Sequence, residues 1–368
     1  MVGGGQGAFI GAVHRIAARI DDRYQLVAGA LSSDPDRAAA SAAELGIDPT
    51  RSYNSFAEMA KAEAARPDGI EAVSIVTPNH LHADAAVAFL EAGIHVICDK
   101  PISVSQAEGL RIKQCLQESS AQFFLTHNYT GYPLIREARD MISTGKLGKI
   151  RVVQAEYAQD WLAEPLETTG QKQASWRTDP KATGGGGAIG DIGTHAYNLV
   201  HYVTGLEAQE LAADLTSYVP GRAVDDNAHI WLRFKGGAKG QLWVSQVAVG
   251  NENALRLRIY GDKGGLEWEQ ENPNILWFTP LGGLRQRLTR GSGALSEAAT
   301  AATRIPAGHP EGYLEAFATL YNDVADVLIH NKSADHLPNI MDGLDGMWFI
   351  EACIASSKNN GSWCERNL

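Results

Sequence analysis

Short apolar runs alternate with amphipathic stretches through the first 126 residues. Leu26 to Leu31, Ile70 to Val76, Ile94 to Ile97 and Phe123 to Thr126 are brief and rich in β-branched or aromatic residues, as buried strands are. Between them, Ala12 to Arg19, Ala83 to Ala92 and 104–118 read as helices. Strands and helices in alternation predict a doubly wound parallel sheet of α/β class. The pattern then changes. A helix over Leu134 to Ser143 is followed by Ile150 to Gln159, which alternates as a half-exposed strand does. Segments 209–218, 228–235, 238–249, 254–260 and 265–270 repeat that alternation, most of them joined by short glycine turns. They predict an α+β domain with a large, open, mostly antiparallel sheet. Residues 280–308 read as a long surface excursion, and helices over 311–330 and 338–358 close the chain. The expected division is 1–126 and 127–368.

Length supports two domains, since 368 residues exceed one ordinary core. A net charge of −11 without basic runs argues against nucleic acid or anionic membrane as partner. No apolar run approaches the roughly 20 residues of a membrane span, and no signal peptide precedes the first strand, so the expected location is the cytoplasm. Cys98, Cys115, Cys353 and Cys364 lack CxxC spacing, and no metal site is expected.

The chain starts at a glycine cluster, Gly3-Gly4-Gly5-Gln6-Gly7-Ala8-Phe9-Ile10-Gly11. Glycines ahead of a helix let backbone approach a pyrophosphate, and the helix amino end attracts anions. The cofactor loop is therefore placed on Gly3, Gly5, Gly7, Ala8, Phe9 and Ile10, enlarged by about two residues against a plain GxGxxG. Only Met1 and Val2 precede it, whereas a central strand takes about five residues. The natural start is accordingly expected upstream. After the second strand stand Ser32, Ser33, Asp34 and Arg37. Serine with arginine tolerates NADP, Asp34 suits the ribose of NAD, and Asp34 is equally an ordinary helix cap.

Two further strand ends carry proline. Thr77-Pro78-Asn79-His80-Leu81-His82 follows one strand, with Asn79 either beside the ligand or capping a helix. Cys98-Asp99-Lys100-Pro101 follows the next, and the proline biases Lys100 towards extended backbone at the carboxyl end of the sheet, where ligands sit. In the second domain, Asp191 and His195 stand four residues apart after a glycine run, on one face if a helix begins there. Either alone is more simply a cap or a half-buried histidine. Together, with glycines clearing space, they point to proton chemistry.

In this order, the glycine loop, Thr77-Pro78-Asn79-His80-Leu81-His82, Cys98-Asp99-Lys100-Pro101 and Gly190-Asp191-Ile192-Gly193-Thr194-His195 resemble the Gfo/Idh/MocA oxidoreductases across essentially the whole chain. Asp99 stands where that family usually has glutamate. The resemblance implies NAD or NADP as cofactor, Lys100 on the reacting hydroxyl and the nicotinamide ribose, Asp191 orienting a sugar, and His195 as general base. It adds Thr77, Pro78, Asn79, His82, Asp99, Asn128, Trp176 and Arg177 to the cofactor residues. For substrate it adds Tyr129, Tyr132, Asp160, Trp161 and His309, with core packing equally open for Trp161 and Tyr132. The implied activity is oxidation of a secondary hydroxyl of a sugar, sugar derivative or cyclitol, pyranose C3 or inositol type. The alternatives are NAD-dependent glycoside hydrolysis through transient oxidation, and a non-catalytic dinucleotide-binding regulator. By the same analogy the chain is expected to form a homodimer or homotetramer.

Overall fold

The computed structural model describes residues 1–366, in two units: Met1–Asn128 with Phe317–Met347, and Tyr129–Ala316 with Trp348 onward. In the first unit, β1 (Val2–Gly3), β2 (Ala72–Val76), β3 (His95–Cys98) and β4 (Phe123–Leu125) pair in parallel in that order. Two further extended segments continue the sheet beyond β1 through the isolated parallel bridges Val2↔Ala30 and Gly29↔Ser52. Gly3 N donates to Ala30 O at 2.9 Å, and Tyr53 N to Gly29 O at 2.9 Å. The sheet therefore grows from β1 in both directions, and in such sheets the ligand crevice opens where the strand order reverses. The strand read over Leu26 to Leu31 shrinks to its bridging residues, Gly29 and Ala30.

Helices cover this sheet because its strands are apolar on both faces. Val73, Ile75, Val96 and Cys98 are fully enclosed, joined by Phe89 and Leu90 of helix His82–Glu91 and by Ile112 of helix Gln106–Glu118. A single cut after residue 126 does not describe this unit, because the chain returns to it. Phe317 and Tyr321, on helix Tyr313–His330, pack their rings against His14 at 5.0 and 5.8 Å between centroids. Leu125 N also donates to Pro338 O at 2.9 Å. Residues this distant in sequence share a core that a linear reading assigns elsewhere.

The second unit is built on nine strands. They are β5 (Ile150–Ala158), β6 (Ala208–Thr216), β7 (Asn227–Phe234), β8 (Lys239–Ser245), β9 (Ala254–Gly261), β10 (Gly264–Glu269), β11 (Ile275–Pro280), β12 (Gln286–Thr289) and β13 (Cys364–Glu365). The order is β12-β11-β10-β9-β5-β8-β7-β6-β13, antiparallel except for the central β5–β8 pair. Val153, Ala155, Leu257 and Ile259 bury one face, against which helix Thr194–Thr204 packs. The predicted excursion over 280–308 is partly sheet: β12 pairs with β11. Its sequence, Gln-Arg-Leu-Thr, hides it, as a short polar strand at a sheet edge does. The remainder is pinned by the buried Arg290, which donates to Glu311 Oε1 at 2.8 Å and to Ile305 O at 2.7 Å. Among the described residues no helix is long and apolar enough to cross a membrane.

Candidate active site

Helix Phe9–Ile20 starts directly behind the glycine loop, and no side chain caps it. Its first amides are left to a ligand, and a phosphate suits them. The close approach in this loop involves two glycines that the reading passed over. A Cβ on Gly11 would lie 2.4 Å from Gly4 Cα, so neither position accepts a side chain. Gly11 therefore plays the part of the third fingerprint glycine, letting helix and strand end touch. The signal was present as a glycine three residues before His14, on the first helix. Gly7 is different: its φ is +77° and a Cβ there would meet nothing, leaving an open concavity at the loop. Phe9 is 63% exposed. Arg15 Nη1 donates to Gly4 O at 2.6 Å and steadies the loop from behind.

At the end of the neighbouring segment, Ser32 Oγ accepts from Asp34 N at 3.1 Å, and Asp34 Oδ1 accepts from Arg37 N at 2.9 Å. Asp34 is the helix cap. Ser33 and Arg37 are exposed.

Three strand ends bring the next group together. Asp99, after β3, accepts from Lys100 N at 3.0 Å and from Thr126 Oγ1 at 2.9 Å, which ties the lysine turn to the end of β4. Lys100–Pro101 is a cis peptide. Lys100 lies near His127, whose imidazole is 3% exposed and whose pKa is lowered to about 3, first by burial and then by the lysine charge. His82, expected to touch cofactor, is turned inward. It is 1% exposed, with Nδ1 2.7 Å from Pro101 O and Nε2 2.9 Å from Thr77 O. Its ring bridges the two proline turns instead. Asn79, buried, makes no capping bond to the helix that follows. Thr77 Oγ1 and Asn128 Nδ2 are buried without any hydrogen-bond partner, at the carboxyl ends of β2 and β4. Unsatisfied polar atoms there, beside an uncapped helix and a glycine concavity, fit a bound dinucleotide.

In the second unit, Gly187 N and Ile189 N donate to the two carboxylate oxygens of the buried Asp225, at 2.7 and 2.9 Å. Burial raises the Asp225 pKa to about 6. This clamp holds the glycine run where it enters Ile189–Gly193, a wide π-type turn that leads into helix Thr194–Thr204. Such turns redirect side chains at functional sites. Asp191 Oδ2 accepts from Gln246 Nε2 at 2.8 Å and lies 3.3 Å from Arg177 Nε. His195, 9% exposed, packs edge-on to Tyr129 at 4.7 Å and tilted to Tyr157 at 6.3 Å between centroids. Asp191 thus stands in the π-type turn and His195 in the first turn of the helix that follows it.

The remaining expected residues divide. Trp161 Nε1 donates to Gln159 Oε1 at 3.1 Å, and Asp160 Oδ2 accepts from Gly250 N at 3.0 Å, so both side chains are fixed while half-exposed. Arg177 stacks over the Trp176 ring at 4.3 Å. Tyr132 is core: 2% exposed, it lies between Tyr129 and Trp268. Tyr129 is equally buried, and burial raises its pKa to about 12. The His309 side chain is exposed, while its carbonyl is held by Arg290. Tyr157, Gln159, Asn253 and Gln246 were not singled out by sequence, because polar residues at the ends of strands carry no motif.

Comparison with known proteins gives the family and the fold. Residues 1–127 match the family described as oxidoreductase family, NAD-binding Rossmann fold, and residues 135–267 match the GFO/IDH/MocA C-terminal domain. The crystal structure of an oxidoreductase from Sinorhizobium meliloti is 54% identical, with TM-score 0.91, covering 99% of this chain and 98% of that one. An inositol dehydrogenase homologue from Azotobacter vinelandii, complexed with NAD+, is 37% identical with TM-score 0.95, over 100% and 96% of the two chains. The same homologue with NADH and myo-inositol gives 0.92 over the same shares. Levoglucosan dehydrogenase of Pseudarthrobacter phenanthrenivorans is 29% identical over 75% of this chain and 74% of its own length.

Proposed function

From the premise that the chain belongs to the Gfo/Idh/MocA family of NAD-binding oxidoreductases, we propose that it oxidises a secondary hydroxyl of a neutral cyclitol or sugar. The observation that carries this reading is the Asp191–His195 pair on one helical turn, with Asp191 held by Gln246 and Arg177. His195 takes the hydroxyl proton, Asp191 orients the ring hydroxyls, and Lys100 stabilises the oxygen as it gains charge. NAD, when bound, supplies the hydride acceptor. The chain's own contribution is to hold the loop amides, Thr77 and Asn128 for the cofactor, and to keep a base poised.

Within its unit Asp191 is matched by Arg177, which favours an uncharged substrate over a sugar phosphate. NAD is preferred over NADP because the similar inositol dehydrogenase homologue holds NAD+. Myo-inositol and levoglucosan, bound or oxidised by these relatives, are the first substrates to try. Glycoside hydrolysis would leave no free NADH, so accumulation of NADH separates the two readings. The chain is also proposed to self-associate through the polar and aromatic face of its nine-stranded sheet, where Trp231 is 54% exposed. Light scattering at micromolar concentration tests this, and a monomer refutes it. A polyol panel with NAD tests the activity: NADH is expected with a neutral polyol, and none with any polyol refutes the reading.

A further inference from the structure

The geometry points to Asn253 as a positioning residue that sets the catalytic base and the substrate-facing indole together. This rests on the reading above of His195 as base, and on the half-exposed Trp161 being the ring that meets the sugar, as the family resemblance implies.

Asn253 Oδ1 accepts two hydrogen bonds of 2.7 Å, one from Tyr157 Oη and one from Gln159 Nε2. Its Nδ2 donates to Gln270 Oε1 at 3.2 Å, so the amide is oriented with its oxygen towards the other two. An amide oxygen only accepts, and Tyr157 has one proton, so that proton points at Asn253. Tyr157 Oη must then accept from Tyr129, its other hydrogen-bonding neighbour. With that proton on Asn253 the order runs from Tyr129 through Tyr157 to Asn253, and Asn253 also stands within hydrogen-bonding reach of Tyr129. Both tyrosine rings face His195. A buried phenol that loses its acceptor must rotate or remain unsatisfied, and Tyr157, tilted against the imidazole, passes either change to its neighbour Tyr129, the ring packed edge-on.

The second arm runs the other way. Gln159 gives its amide N–H to Asn253 and receives the Trp161 indole N–H at its oxygen. That bond fixes the direction of the indole N–H, and with it the orientation of the ring face. One acceptor atom therefore orients two groups with different tasks, through two chains of hydrogen bonds that share nothing else.

The arms separate in kinetics. With NAD and myo-inositol or levoglucosan, Tyr157→Phe lowers kcat about tenfold and leaves KM within about twofold, since only the base is loosened. Gln159→Met raises KM about tenfold and leaves kcat within about twofold. Asn253→Leu shows both effects, and Asn253→Asp, which keeps the acceptor oxygen, restores most of each. Two resonances report the same events without substrate: the His195 Cε1–H signal, assigned by its loss in His195→Ala, and the Trp161 indole N–H, assigned by its loss in Trp161→Phe. Tyr157→Phe is expected to move only the first, Gln159→Met only the second, and Asn253→Leu both. If neither polyol is oxidised, the activity reading fails while the resonances still decide this one. Kinetic effects that do not separate by arm, or resonances unmoved in folded Asn253→Leu protein, overturn it.

Discussion

Gln246 and Asp191 meet through one hydrogen bond of 2.8 Å, from the amide Nε2 to the carboxylate Oδ2. Gln246 is 2% exposed, and its backbone N–H is anchored on Asp226 O at 2.8 Å. The carboxylate is therefore aimed by a residue that cannot move independently. Replacing Gln246 by Leu removes that bond while keeping most of the volume. A fall of about tenfold in kcat/KM is expected, with NAD affinity unchanged. Steady-state kinetics alongside cofactor titration checks both halves.

The glycine loop gives a paired prediction. Gly11→Ala forces a methyl group to within 2.4 Å of Gly4 Cα, so helix and loop must separate. NAD binding is expected to fall at least tenfold and stability by about 1–3 kcal/mol. Gly7→Ala meets no protein atom and costs only about 1 kcal/mol for its positive φ, while its methyl enters the concavity assigned to the dinucleotide, so NAD binding falls with little loss of stability. Calorimetric titration with NAD and thermal melting separate the two variants.

Acid should destabilise the first unit. His14, His82 and His127 are buried, and burial lowers each pKa, to about 3 for His127. The unfolded chain takes these protons near pH 6.5, and the folded one resists them. Their contribution is fully present above pH 6.5, declines as pH falls below it, and for His127 levels off only near pH 3. Asp225, in the second unit, has the opposite dependence there, since its pKa, raised to about 6, favours the folded state as pH falls from 6 towards 4. His127→Gln is expected to flatten the stability profile between pH 6 and 4 by up to about 1.4 kcal/mol per pH unit. Urea melts across that range measure the slope.

How much of this was legible depends on how locally each feature is encoded. Lys100 and the Asp191–His195 pair were picked out because each sits in a short run whose backbone demands, proline after a strand or glycines before a helix, mark the place. Gly11 was missed as a contact residue because its partner, Gly4, lies across an enlarged loop that defeats fixed spacing. His82 looked like a ligand-facing residue, yet its ring nitrogens face two main-chain carbonyls, a fact fixed only by the fold. Strand β12 was hidden by its polar edge sequence. The return of 317–347 to the first unit, and the Tyr129–Tyr157–Asn253 chain, depend on residues 28 to 307 positions apart, beyond the reach of any local pattern.

The most direct test joins activity to the lysine turn. Wild-type protein and Lys100→Ala are incubated with NAD and a panel of neutral polyols that includes myo-inositol, NADH is followed by absorbance, and NAD binding is measured in parallel. The wild type should accumulate NADH with at least one polyol, and Lys100→Ala should bind NAD yet lose nearly all turnover. A wild type that forms no NADH with any polyol, or a Lys100→Ala variant that turns over normally, would contradict the account.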